Sequence, residues 1–224
     1  MNATVSLKQR VLAAAAATPS LTRREGNRLG WHLLALSVIV GVSLLELAGG
    51  IAHSRDRPLA LTVRLADGWA LASSALTWLV LRRRAMFVSF PRLLMVATLA
   101  TPVALFVWMG LFAGSTLEPP DATDWACFVF TLACAATPLG GFLRTHRGIE
   151  LERPDMLGAA AGAASGAWAG VLALLWCPLV SPWHALVGHV APIALMTAIG
   201  SVLGAATLGV GKGSRSGNRS RGRT

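Results

Sequence analysis

Six apolar runs, each close to 20 residues and each separated from the next by a short polar stretch, constrain this chain more than any other feature. A helix needs about 20 apolar residues to cross roughly 30 Å of hydrocarbon. The runs are Trp31–Ile51, Leu65–Leu81, Leu93–Ala113, Trp125–Leu143, Met156–Cys177 and Ala185–Val210. The second is the weakest, with Arg64 and Asp67 at its start and Arg82, Arg83 and Arg84 at its end. Hydrophobic residues make up 54% of the 224 and charged residues 13%, against about 25% charged in an ordinary soluble domain. Such a chain has too little polar surface to cover itself, so much of it must face lipid. The expected fold is all-α: a polytopic membrane bundle of about six transmembrane helices over residues 31–210, with a cytoplasmic segment at 1–30 and a disordered, basic Gly/Ser/Arg-rich cytoplasmic tail at 211–224.

The formal charge of +10 comes from 20 Lys+Arg against 10 Asp+Glu. In a soluble domain that balance points to nucleic acid; here the basic residues lie between apolar runs, where they orient helices, and no direct nucleic-acid partner is expected. Alternate loops on one side hold seventeen Lys+Arg and those on the other side three. The positive-inside rule then puts both termini in the cytoplasm, with Glu118, Asp121 and Asp124 on the outer side. In a bacterium this is a multi-pass inner-membrane protein.

Residues 1–30 are not expected to be a cleaved leader. The apolar stretch Val11 to Ala17 is short, Arg23, Arg24 and Arg28 follow it directly, and a full span begins at Trp31. Val5 to Ala17 suits a short amphipathic helix with Leu7, Val11, Ala14 and Ala15 on one face, stopped before Pro19. An apolar stripe at Leu7 and Val11 beside Arg10, Arg23 and Arg24 is an anchor with a charge pattern for a helical protein partner. The same basic residues are also attracted to anionic lipid.

Within the spans, Gly158, Gly162, Gly166 and Gly170 recur every four residues, and Gly200 and Gly204 form a second patch. Such a stripe lets a neighbouring backbone approach closely. Packing within the chain is the expectation, and a homo-oligomer contact the alternative. The topology also gathers reactive side chains near the outer face. Cys127 opens the fourth span, Cys177 ends the fifth, and His184 and His189 flank the start of the sixth. At one membrane level these four suit a disulfide, a soft metal ion or an oxidant target. Their spacing does not choose among the three. Cys134, two turns deeper than Cys127, reads as structural. Glu46 is the most conspicuous charge inside a span, at the depth of His189, which suggests a Glu46–His189 pair.

Enzyme signatures are missing: the sequence has no GxSxG, HExxH, Walker loop, CxxC or paired catalytic carboxylates, so no catalytic residue and no cofactor are expected. A small transporter or channel is the competing class. It calls for internal repeats and helices broken near the midplane, for which Pro102, Pro138 and Pro192 are candidates, but the halves show no convincing repeat.

The stretch from Asp124 to Gly204 resembles the membrane-embedded half of the NrsF-type bacterial anti-sigma factors. The shared pattern is a cysteine entering the fourth span, an Arg-containing inner loop, a Gly/Ala-rich fifth span, Cys-Pro at its outer end and a glycine-rich sixth span. Here these are Cys127; Arg144, Arg147 and Arg153; Gly158 to Gly170; Cys177-Pro178; and the run through Gly204. The start Leu7-Lys8-Gln9-Arg10-Val11-Leu12-Ala13 with Thr18-Pro19-Ser20 is similar to the N-termini of myxobacterial members. The resemblance implies a negative regulator of transcription that holds an extracytoplasmic-function sigma factor at the inner membrane until a stress- or light-type signal arrives, with carotenoid synthesis genes among the outputs such proteins control. It assigns sigma binding to residues 5–24 and sensing to Cys127 and Cys177. His184 and His189 depart from the acidic and aromatic residues usual after Cys-Pro in many members, which puts the signal itself in question.

Overall fold

The computed structural model describes residues 23–51, 58–81, 91–111, 122–146, 153–177 and 181–208. These form six helices: α1 Arg23–Leu47, α2 Leu59–Leu81, α3 Pro91–Gly110, α4 Ala122–Thr145, α5 Pro154–Trp176 and α6 Pro182–Thr207. The protein is thus an all-α helical bundle, with no strand among the described residues. All of these helices except α2 are long and apolar enough to cross a membrane. α2 has the length, 23 residues, but Arg64 and Asp67 lie within it and not at its edge, because it begins six residues earlier than the apolar run. Both charges are on its exposed side.

Helix ends follow local chemistry. Proline, which has no N–H to leave unsatisfied, stands at the first position of α3, α5 and α6. The Ser181 hydroxyl caps α6 by accepting from the His184 N–H at 3.1 Å. α1 stops at Leu47, short of the apolar run's end at Ile51, because Gly49 and Gly50 take positive φ of 108° and 77°. The Gly50 N–H then donates to Leu45 O at 2.9 Å, a Schellman closure that satisfies the last turn. Pro102 and Pro138 lie inside α3 and α4, which continue past them.

α5 is the central helix, packed by α2, α3, α4 and, most extensively, α6. The glycine stripe makes this possible. A Cβ on Gly158 would come 2.1 Å from Gly200 O, and one on Gly162 would come 2.0 Å from Met196 O. Gly166 faces Ile193, while Gly170 makes room for the Trp69 indole of α2. The stripe is therefore filled within the same chain.

Around that core the exterior is apolar. Val38, Ile39 and Val42 on α1 and Val96, Leu99, Val103 and Val107 on α3 are all exposed. Exposed tryptophans mark both ends of the bundle, Trp31 and Trp78 toward one and Trp125 and Trp183 toward the other, as in an interfacial belt. Hydroxyls inside the helices are satisfied locally: Ser73, Thr98 and Thr197 donate to the carbonyl four residues back at 2.7 Å. In lipid, where water supplies no partner, this matters more than in a soluble core.

Candidate functional site

One end of the bundle collects soft, ligand-type side chains from three segments. Cys127 comes from the second turn of α4, Cys177 caps α5, and His184 and His189 come from the first turns of α6. All four are buried, none more than 2% exposed. One donor atom from each lies within 4.8 Å of every other. Sequence spacing gathered these residues at one membrane level; the fold brings them together.

The convergence depends on a defect in α6. Residues five apart on an α-helix point roughly 140° from one another, so His184 and His189 would diverge. Ala185–Val190 instead form a π-turn, closed by the Ala191 N–H donating to Leu186 O. Its i→i+5 register stacks residues five apart on one face, and the two imidazoles meet edge to face with centroids 5.1 Å apart. Pro192 explains where the turn falls. Lacking an N–H, it cannot bond the Gly188 carbonyl four residues back, and the Thr131 hydroxyl of α4 reaches that oxygen at 3.4 Å while bonding Cys127 O at 2.8 Å. Thr131 thereby ties the cysteine's turn to the π-turn. Gly188 fits between them, since a Cβ there would sit 3.1 Å from Cys127 Cβ and 3.3 Å from His184 Nε2.

Asp124 completes the site, and sequence reasoning missed its role. Placed on the outer side as a loop charge, it is in fact buried, with its Oδ1 on His184 Nδ1. The available signal was its position one turn before Cys127 on the same helix face. A carboxylate accepting from Nδ1–H fixes the imidazole tautomer and turns the Nε2 lone pair toward Cys177 Sγ, 2.9 Å away. Trp69 of α2 walls the far side, edge-on to His189 with centroids 6.1 Å apart.

A cleft adjoins the cluster among the described residues. About 240 Å3 in volume, it runs between the end of α1 and the start of α4, lined by Gly49, Gly50, Thr123 and Trp176, with Cys127 and Cys177 at its floor. The Trp176 N–H donates to Ala48 O at 2.8 Å and fixes the α1 side of the opening. Chemically, the arrangement presents a thiol aligned on an imidazole that a carboxylate orients, with a second thiol and a second imidazole in reach. It suits thiol oxidation, attack on an electrophile or coordination of a soft ion.

Other sequence-derived sites fall elsewhere. The Glu46–His189 pair is not formed: Glu46 is exposed on α1, which packs on α4 and α5, whereas His189 is enclosed by Trp69 and His184. Glu46 sits in the Schellman closure itself, its carbonyl accepting from the Gly49 N–H at 3.0 Å, with the residue on the exposed face of α1. Cys134 lies in the core beside Leu139 and Leu157, away from the cluster. Leu7, Arg10 and Val11 lie outside the described residues, and Arg23 and Arg24 stand in the first turn of α1.

The fold and the site together define a multi-pass helical membrane protein with a buried thiol–imidazole–carboxylate centre at one end of its bundle. No protein-family model matches the chain, and neither a curated protein nor a solved structure is similar to it.

Proposed function

We propose that the protein is a membrane-held regulator of transcription, an anti-sigma factor that binds an extracytoplasmic-function sigma factor at the bacterial inner membrane and releases it when the buried cluster is modified. The observation that carries this reading is a buried thiol–imidazole–carboxylate centre at the end of the bundle opposite the start of α1, the helix into which the basic, apolar-striped stretch of the sequence leads. The charge pattern of the loops puts that segment and the tail in the cytoplasm and the cluster on the outer side. The resemblance of residues 124–204 to the NrsF-type factors supports the same assignment, and the protein then works by binding, not by catalysis.

Tethering acts by location. A sigma factor held through Leu7 and Val11, with Arg10, Arg23 and Arg24 alongside, is kept from core polymerase and promoter DNA. The cluster's chemistry restricts the input to agents that oxidise, alkylate or ligate thiols. Cys177 and His184 flank the turn between α5 and α6, so a change there bears on the most closely packed helix pair in the bundle. A signal shifts such a bundle only by its different free energy with two packings.

Co-purification from detergent-solubilised membranes tests this, comparing the full chain with one lacking residues 1–28. A sigma factor retained by the full chain and lost from the truncated one is the expected result. Retention of no sigma factor by either contradicts the reading and leaves transport as the stronger function for the fold.

A further inference from the structure

We propose that Cys127, Cys177, His184 and His189 form a tetrahedral zinc site, with Asp124 as the carboxylate that orients His184 on the ion. Two thiolates and two imidazoles are a donor set that Zn2+ takes in tetrahedral geometry. With Zn–S near 2.3 Å and Zn–N near 2.0–2.1 Å, tetrahedral ligand atoms stand about 3.3–3.8 Å apart. The four donor atoms here lie within 4.8 Å of one another, so modest side-chain adjustment encloses an ion. Cys177 Sγ and His184 Nε2, 2.9 Å apart, would open by about half an ångström to reach that spacing.

Three further features belong to an ion site and not to a bare dithiol. The His184–Asp124 contact reproduces the carboxylate–histidine–metal relay that sets the tautomer and ring orientation of a ligand. The π-turn swings His189 onto the same centre, which a Cys127–Cys177 disulfide would have no use for. Zn2+ also neutralises the two buried thiolates, which leaves the Asp124 carboxylate, held by His184, as the single net charge of the site. Binding releases the two thiol protons to solvent through the cleft, and no electron is transferred. His184 and His189 carry the proposal, and they are the positions at which this chain departs from the resemblance described above.

The proposal goes beyond the regulatory reading and is tested without a sigma factor. The full-length chain is purified in detergent under reducing conditions, loaded with Zn2+, dialysed and assayed for metal; a parallel sample takes Co2+ as a spectroscopic probe. A single zinc per chain is expected, and for Co2+ the intense visible bands and thiolate-to-metal charge transfer of a tetrahedral sulfur–nitrogen site. Cys127→Ser, Cys177→Ser and His189→Gln should each lose the ion, while Cys134→Ser keeps it. Asp124→Asn should keep the same cobalt spectrum with affinity 10–100-fold weaker, which reads the carboxylate's positioning role in a protein whose ligands are intact. Circular dichroism and gel filtration establish that each variant is folded. Absence of zinc from folded wild-type protein overturns the site, as does zinc that survives in the Cys127→Ser/Cys177→Ser double variant or a weak octahedral cobalt spectrum.

Discussion

Each functional side chain is set by one or two neighbours, and their contributions are separable. Thr131 is the clearest case: its hydroxyl serves Cys127 O and Gly188 O together. Thr131→Val keeps the volume and removes both bonds. We expect a loss of about 1 kcal/mol in stability, read by denaturant titration in detergent, and a looser cluster in which His189 no longer faces Cys127. The three cysteines should also differ in reactivity. Cys127 and Cys177 floor the cleft, whereas Cys134 is packed in the core. All three are buried, so a small alkylating reagent needs an opening of the fold; opening at the cleft exposes Cys127 and Cys177, and mass spectrometry should find these two labelled before Cys134. Labelling of Cys134 first would refute the cleft as the route of entry. Residue types and levels were legible in the sequence; facing directions were not. Asp124 looked like a loop charge because a carboxylate's burial depends on a partner sixty positions away, and Glu46 looked like a partner for His189 because depth was readable and azimuth was not.

At the scale of the helices, glycine spacing and proline placement dictate what packs where. Gly162→Val drives side-chain atoms into the Met196 carbonyl of α6. The expected cost is about 3 kcal/mol, the upper part of the overpacking range, measured as a drop in thermal stability in detergent. Gly140, with open space around it, is the internal control: Gly140→Ala should be neutral or stabilising by up to about 1 kcal/mol. Pro192→Ala restores an N–H and lets α6 close as a regular α-helix, which turns His184 and His189 apart, so the cluster should lose its ligand geometry while the bundle persists. Apolar runs and the four-residue glycine repeat made the six helices and close packing of the glycine faces readable beforehand, but not which helix fills the stripe. Helix ends were less so, since the apolar run continues past Leu47 while two positive-φ glycines end α1. The π-turn was out of reach, because it arises when Pro192 leaves Gly188 O for Thr131, a contact between helices.

For the whole molecule, an apolar exterior with tryptophans at both ends surrounds a bundle whose reactive centre lies at one end. The orientation proposed from the loop charges has a direct consequence: reporters fused at residue 1 and residue 224 should both score as cytoplasmic, and one inserted at 114–124 as external. α5 and α6 span the two ends, their backbones touch along the glycine stripe from Gly158 to Ile193, and Cys177 and His184 stand at their adjoining ends. A rearrangement at Cys177 or His184 has a packed path along α5 and α6 toward the opposite end of the bundle, where α1 begins.

The most direct test of this account is release of a sigma factor from the immobilised full-length protein on treatment with a thiol oxidant. Release from wild type and from Cys134→Ser, with retention by Cys127→Ser/Cys177→Ser, is the predicted result. Equal release from the double variant, or retention by wild type, would contradict the claim that the buried cluster governs what the cytoplasmic segment holds.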